Sequence, residues 1–429
     1  MTGDAKSGIS RRALLGIAGG AAAGLATGVG VGRAGAAGDP PAAEAVGGGT
    51  VPFYGSQQAG IGTAAQDRLH FVALDVLPGV TQADLQDLLK RWTAAAATMA
   101  TGELIGGPGP NQNIDAPPVD TGEALGLDPA KLTITIGFGP SLFRQGNKDR
   151  FGLAARQPKA LRPLPAFADD LLDPARSDGD IAIQACADDP QVAVHAVRNL
   201  VRIGHGITAV RYSQLGFGRT SSTTSAQVTP RNMLGFKDGT NNLRSDDEAA
   251  MRKHVWVQRG DESGARAWIE GGSYLVARRI RMHIETWDRD PLGDQELVIG
   301  RQKLSGAPFG EDDEFAELDF EARGPDGELR VDPRAHVQLA HPTRNKGATM
   351  LRRGYSFVDG SDDLGRLESG LFFISYQRTP DTFISVQESL AGKSRDLLNE
   401  YIQHVGSGIW AVPPGVKKPG DYWGSGLFS

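Results

Sequence analysis

Three side chains of this 429-residue chain could share one piece of redox chemistry. Asp238 lies in Gly235-Phe236-Lys237-Asp238-Gly239, a carboxylate inside a glycine-flanked turn. His336 lies in Ala335-His336-Val337-Gln338, and Arg352 in Leu351-Arg352-Arg353-Gly354, both about a hundred residues downstream. An imidazole oriented by a second group is a directional ligand for iron. A carboxylate within reach of a reacting oxygen can take up a proton and return it. An arginine stays protonated and offers a fork of donors to negative charge as it develops. Together these are the groups that cleavage of a peroxide O–O bond at iron requires. The turn alone is weak evidence, because such turns are common; the ordered combination is specific.

These residues carry a family likeness. The chain resembles the dye-decolourising (DyP-type) haem peroxidases, of the exported, deferrochelatase-like branch. The likeness extends over nearly everything after the first fifty residues. It includes Phe53-Tyr54-Gly55-Ser56-Gln57-Gln58 near the start and Trp287-Asp288-Arg289 with Val298-Ile299-Gly300-Arg301 in the middle. Near the end, Asp396-Leu397-Leu398-Asn399-Glu400-Tyr401 runs into His404-Val405-Gly406-Ser407.

The resemblance implies one haem b per chain, with His336 as axial iron ligand, Asp238 as proton carrier and Arg352 as the fixed cation. It implies reduction of hydrogen peroxide through a ferryl–porphyrin intermediate and oxidation of phenolic or dye-like donors. His341 is the rival ligand, and only the resemblance separates it from His336. A carboxylate on the histidine Nδ1 is expected, from Asp396 or Glu388, with Asp396 preferred. Gly235 and Gly239 are expected to let the backbone turn sharply and approach the porphyrin. The turn continues Thr240-Asn241-Asn242-Leu243, where the branch more often ends in proline.

Two other functions stay in view: iron extraction from haem, with an iron-uptake permease as partner, and non-catalytic haem binding. Haem storage needs only the ligand, so the presence of both Asp238 and Arg352 speaks against mere binding. A chlorite-decomposing enzyme on a related fold lacks the Gly-Phe-Lys-Asp-Gly turn. Surface tyrosines or tryptophans could relay electrons, and none is singled out.

Composition sets the class. Hydrophobic content of 40% and charged content of 22% are those of a soluble globular chain. The formal charge of −6, with no basic run carrying interleaved aromatics, argues against a nucleic-acid partner. The one cysteine, Cys186, excludes an intrachain disulfide and any cysteine-rich metal site, and reads as a core residue. Ser10-Arg11-Arg12 followed by an apolar Gly/Ala stretch and Ala34-Gly35-Ala36 is a twin-arginine signal pattern. It predicts export of a folded, cofactor-loaded protein to a secreted, periplasmic or cell-surface location, with no membrane span in the mature chain.

The expected divisions are a signal over 1–36, a linker over 37–49, an N-terminal domain over 50–217 and a C-terminal haem domain over 218–429. The elements must position the chemistry. Leu69–Leu77, Leu132–Phe138, Asp180–Ala187 and Thr208–Phe217 read as strands. Helices start at Thr81 and at Pro190. That β-α-β-β-α-β order is ferredoxin-like. In the second half, Tyr274–Trp287 reads as one long strand, with Arg279, Arg281 and His283 on its polar face. Pro291–Ile299 reads as a helix, Gly370–Tyr376 as a strand, and Phe383 to about His404 as largely helical. Periodicity by itself supports α+β, and the resemblance implies two ferredoxin-like domains.

Overall fold

The computed structural model describes residues 49–106, 114–392 and 395–429. The signal and nearly all of the linker expected from the sequence lie outside the described residues. The first half runs β1 (Arg68–Val76), α1 (Gln82–Met99), β2 (Thr133–Phe138), β3 (Ile181–Ala187), α2 (Pro190–Ile203) and β4 (Thr208–Arg219). Helix α1 begins where the sequence places it: Thr81 and Asp84 form a capping box. Helix α2 starts with Asp189 accepting from two backbone amides and Pro190 in the first turn.

The second half runs β5 (Ser273–Met282), α3 (Leu292–Ile299), α4 (His336–Ala340), β6 (Leu351–Arg352), β7 (Tyr355–Ser361), β8 (Leu367–Gln377), α5 (Asp381–Ala391) and β9 (Ile402–Val412). Within each half the hydrogen-bonded order is fourth, first, third, second: β4-β1-β3-β2 and β9-β5-β8-β7. The fold is α+β, with two ferredoxin-like halves.

The halves join edge to edge. Strand β2 pairs with β9, and β4 pairs with β7, so eight strands close into a ring with β6 attached to β8. Alternation along each strand then serves two cores. On β1, Leu69, Phe71 and Ala73 face the ring interior, while Val72, Leu74 and Val76 face the helices. Phe71 packs inside against Phe372 and Trp410, with ring centroids 5.1 and 5.6 Å apart. Burial on both faces explains why β3, with Cys186, is buried at every position. Closure leaves few open strand edges.

Two expectations fail locally. The strand expected over Tyr274–Trp287 ends at Met282, and His283 opens a helical turn over Ile284–Trp287. The partner strand β9 begins opposite Met282, so the ladder stops there. The turn buries Ile284 and Trp287 together, and the Trp287 indole donates to the Leu234 carbonyl at 3.0 Å. The polar face of β5 is buried too: Arg279 pairs with Asp359 at 2.9 Å and Glu368 at 2.8 Å.

The second failure is the helix expected to reach His404. Helix α5 ends at Ala391, and residues 402–412 form β9, paired with β5 along its length. That segment is extended because β5 offers a full edge, which local pattern cannot register.

Candidate active site

One cleft in the second half gathers Asp238, Gly239, His336, Arg352 and Asp396. Its apolar walls include Phe236, Ile280, Met282, Leu371, Phe373 and Val337. Ile280 and Met282 are alternate residues of β5, on the face opposite Arg279 and its ion pairs.

His336 is the first residue of α4. Its Nδ1 donates to Asp396 Oδ2 at 2.6 Å. Asp396 is 2% exposed, and its other oxygen accepts from the Leu398 amide at 2.9 Å, capping the short helical turn over Leu397–Glu400. Both carboxylate oxygens are thus fixed. Burial disfavours the imidazolium, but the Asp396 charge and hydrogen bond outweigh it, so His336 titrates above its ordinary value. The ring sits deep in the protein, yet a third of its side-chain surface is open where it lines the cleft. With Nδ1 committed to Asp396, Nε2 is the nitrogen left to bind a ligand. Glu388, the other carboxylate considered, is exposed on α5.

Arg352 Nη1 donates to Asp238 Oδ1 at 2.8 Å. Asn232 donates to the other Asp238 oxygen at 3.3 Å. Arg352 lies on the two-residue strand β6, whose neighbour Arg353 points away as alternation requires. Arg353 is fully buried and donates to the Thr63 carbonyl at 2.5 Å and to Gln66.

The two turn glycines differ. Gly239 lines the cleft at φ +89°, and a Cβ there would stand 3.0 Å from the Ser221 backbone. Gly235 also needs a positive φ, +82°, but its missing side chain would meet Lys303, and it does not line the cleft. Gly235 shapes the turn from behind the cleft wall.

The remaining histidines described serve the fold or the surface. His195 is buried against Asp120 at 2.8 Å, and His70 meets Ser213 at 2.8 Å. His341 borders the cleft, but its Nδ1 meets the Thr343 hydroxyl, with no buried carboxylate behind it.

The roles of three residues escaped the sequence reading: Arg301 and His404, which line the cleft, and Asn242 just behind it. Asn242 is buried and bonds the Arg352 backbone. Arg301 donates to the Gly306 and Glu314 carbonyls, and has no carboxylate in ion-pair range among the described residues. His404 is 7% exposed beside Arg278, whose charge is matched by Asp170. The motif around Arg301 was visible, but nothing in it signalled a cation left unpaired.

Burial, aided by Arg278, pushes the His404 pKa down to about 3. An unfolded histidine takes up its proton near 6.5, so the penalty is absent above that pH and grows as pH falls toward 3. The wild-type protein should lose up to about 1.4 kcal/mol per pH unit from this residue across that window. Denaturant titrations at several pH values should show a shallower acid slope for His404→Gln. Equal slopes would refute the assignment.

The cleft suits haem. It offers an apolar-walled slot, the His336 imidazole with Nδ1 committed to Asp396 and Nε2 free, and Arg301, a cation with no carboxylate in ion-pair range among the described residues. Comparison with known proteins agrees. The Dyp-type peroxidase N-terminal description matches residues 58–218, and the C-terminal one matches 229–417. The Deferrochelatase of Escherichia coli (strain K12) is 38% identical over 381 residues, 88% of this chain and 86% of the relative. The structure of ferric DtpA from Streptomyces lividans is 38% identical with a TM-score of 0.80, covering 90% of this chain and 98% of that one. The DyP-type peroxidase from Cellulomonas bogoriensis is 37% identical with a TM-score of 0.77, covering 89% and 99%. With site and comparisons in agreement, the chain belongs to the Dyp-type peroxidase family and is a haem-dependent oxidoreductase acting on peroxide.

Proposed function

We propose that His336 holds the haem iron, that Asp238 and Arg352 handle peroxide, and that the donors oxidised are phenolic or dye-like aromatics. The observation that carries this reading is the pairing within one cleft: His336 on Asp396 at 2.6 Å and Arg352 on Asp238 at 2.8 Å.

Haem held by His336 would supply a redox-active iron able to accept the oxidising equivalents of peroxide. Asp396 holds the Nδ1 proton of His336, which fixes the tautomer and raises the basicity of Nε2. Arg301, which lines the cleft, would supply a cation for the acidic groups of the porphyrin. Asp238 takes a proton from peroxide and returns it to the departing oxygen, which leaves as water. Arg352 remains charged throughout, so its donors stabilise negative charge on that oxygen without moving a proton. Gly239 keeps the wall beside Asp238 thin. Electrons then come from a donor at the cleft mouth.

The test is an absorption spectrum of the purified protein before and after one equivalent of hydrogen peroxide, followed by a phenol. A Soret band that shifts and then returns supports the reading. A Soret band that ignores peroxide would overturn it.

The likeness to the E. coli Deferrochelatase favours a second reading, iron removal from haem with the porphyrin left intact, in partnership with an iron-uptake permease. Release of metal-free porphyrin under reducing conditions would separate the two. We also propose export by the twin-arginine signal over 1–36, a linker over 37–49, and domains divided at 217/218. No helix among the described residues is long and apolar enough to cross a membrane.

A further inference from the structure

We propose that Asn242 is a positioning residue for peroxide activation: it holds the backbone of Arg352 in place so that the guanidinium meets Asp238. The inference rests on the reading of Asp238 and Arg352 given above.

The argument starts from strand β6. It pairs with β8 on one side only, Arg352 opposite Ser375 and Leu351 opposite Tyr376. The Arg353 amide donates to the Ile374 carbonyl at 2.8 Å, so Arg353 faces that ladder. In an antiparallel pair, neighbouring residues turn their N–H and C=O groups to opposite sides. The N–H and C=O of Arg352 therefore point off the open edge, away from β8. A two-residue strand with one edge unpaired is a poor platform for a side chain that must be held within a fraction of an ångström.

Asn242 takes both groups. Its Oδ1 accepts from the Arg352 N–H at 2.8 Å, and its Nδ2 donates to the Arg352 C=O at 2.9 Å. One carboxamide thus stands in for the missing neighbouring strand. The same Nδ2 donates to the Ser222 carbonyl at 3.0 Å, which spends both of its donors on backbone. Asn242 is 8% exposed, so these bonds compete little with water.

The other end of the strut is the Asp238 turn. The Asn242 amide donates to the Gly239 carbonyl at 2.9 Å, and the Asp238 amide donates to the Pro230 carbonyl at 2.9 Å. Asp238 and Asn242 are therefore rigidly related within one turn, while Arg352 arrives from a segment 110 residues away. Asn242 is the link that sets the two halves of the peroxide-handling pair in register. Asparagine alone provides an acceptor and two donors at this length. Aspartate would repel the Arg352 and Ser222 carbonyls, and glutamine would push Arg352 outward.

The experiment is a double-mutant cycle on the haem-loaded protein, reading the second-order rate of the peroxide-driven Soret change and the hydrogen exchange of peptides spanning Arg352. Asn242→Leu should keep the Soret band, speed exchange at the Arg352 amide, and slow the peroxide reaction by about ten- to a hundredfold. In an Arg352→Leu background the same change should alter the rate by less than about twofold, because Asn242 acts through Arg352. Equal slowing in both backgrounds would show general loosening of the cleft and overturn the proposal. So would an unchanged rate in the wild-type background. If Arg352→Leu itself leaves the rate intact, the role of Arg352 falls and Asn242 falls with it, a result distinct from failure of Asn242 alone. Should Asn242→Leu not retain haem, Asn242→Asp, which keeps an acceptor for the Arg352 amide but no donor, takes its place in the same cycle with an intermediate slowing expected.

Discussion

His336→Ala should give a folded protein that no longer retains haem. In the proposed arrangement apolar contact would hold the porphyrin and the His336 bond would fix the iron, and no other imidazole in the cleft is backed by a carboxylate that would prepare it as a replacement. His341 meets only Thr343, through its hydroxyl and amide, and packs edge-on to Phe320 with ring centroids 5.1 Å apart. His404 is turned to Arg278 and Gln387. The readout is the ratio of Soret to protein absorbance after reconstitution, together with bound iron. His341→Ala should leave both unchanged. Asp396→Asn should fall between: the ligand remains, but the charge that orients it is gone, and such partners are worth about 10–100-fold in affinity or activity. Full haem retention by His336→Ala with an unaltered ferric spectrum would mean that another side chain binds the iron.

Arg352→Leu should have the opposite signature. Haem stays, the resting spectrum changes little, and the reaction with peroxide slows by about 10²–10³-fold, the scale seen when one donor to a developing oxyanion is removed. Asp238→Asn should also slow it, by about 10²–10⁴-fold, because the amide cannot carry the proton. The two residues share a hydrogen bond at 2.8 Å and, in the proposed roles, would act on one oxygen atom, so their effects should not add. The double variant is expected to be about as slow as the slower single one. Stopped-flow mixing with peroxide, at saturating and limiting donor, checks this. A change confined to the KM of the aromatic donor, with the peroxide step intact, would place Arg352 at the donor site instead.

Much of the frame was legible because it is local. The start of α1 follows from Thr81 and Asp84, and the start of α2 from Asp189 and Pro190. Each strand of the first half carries its own alternating or continuous apolar signal. The errors lie where a neighbour overrides the local pattern. The chain looks helical from Phe383 to about His404, yet it is already a strand from Ile402 because β5 presents a full edge. Tyr274–Trp287 looks like one strand and breaks at Met282 because its partner begins there. Gly235 and Gly239 look alike in sequence, and only Gly239 reaches the cleft.

The sequence by itself determined the chemical types available: one carboxylate in a tight turn, an imidazole and an arginine on separate segments, a single cysteine, and the α+β class. The family resemblance, not spacing, chose His336 over His341. Tertiary structure decided the rest. It brought Asp396 to His336 across 60 residues and Asp238 to Arg352 across 114. It neutralised Arg278 while leaving Arg301 with no carboxylate in ion-pair range among the described residues, and it placed the Asn242 carboxamide on the open edge of β6. Those outcomes depend on which strand edges meet when the ring closes. That is a property of long-range pairing, and no window of sequence contains it.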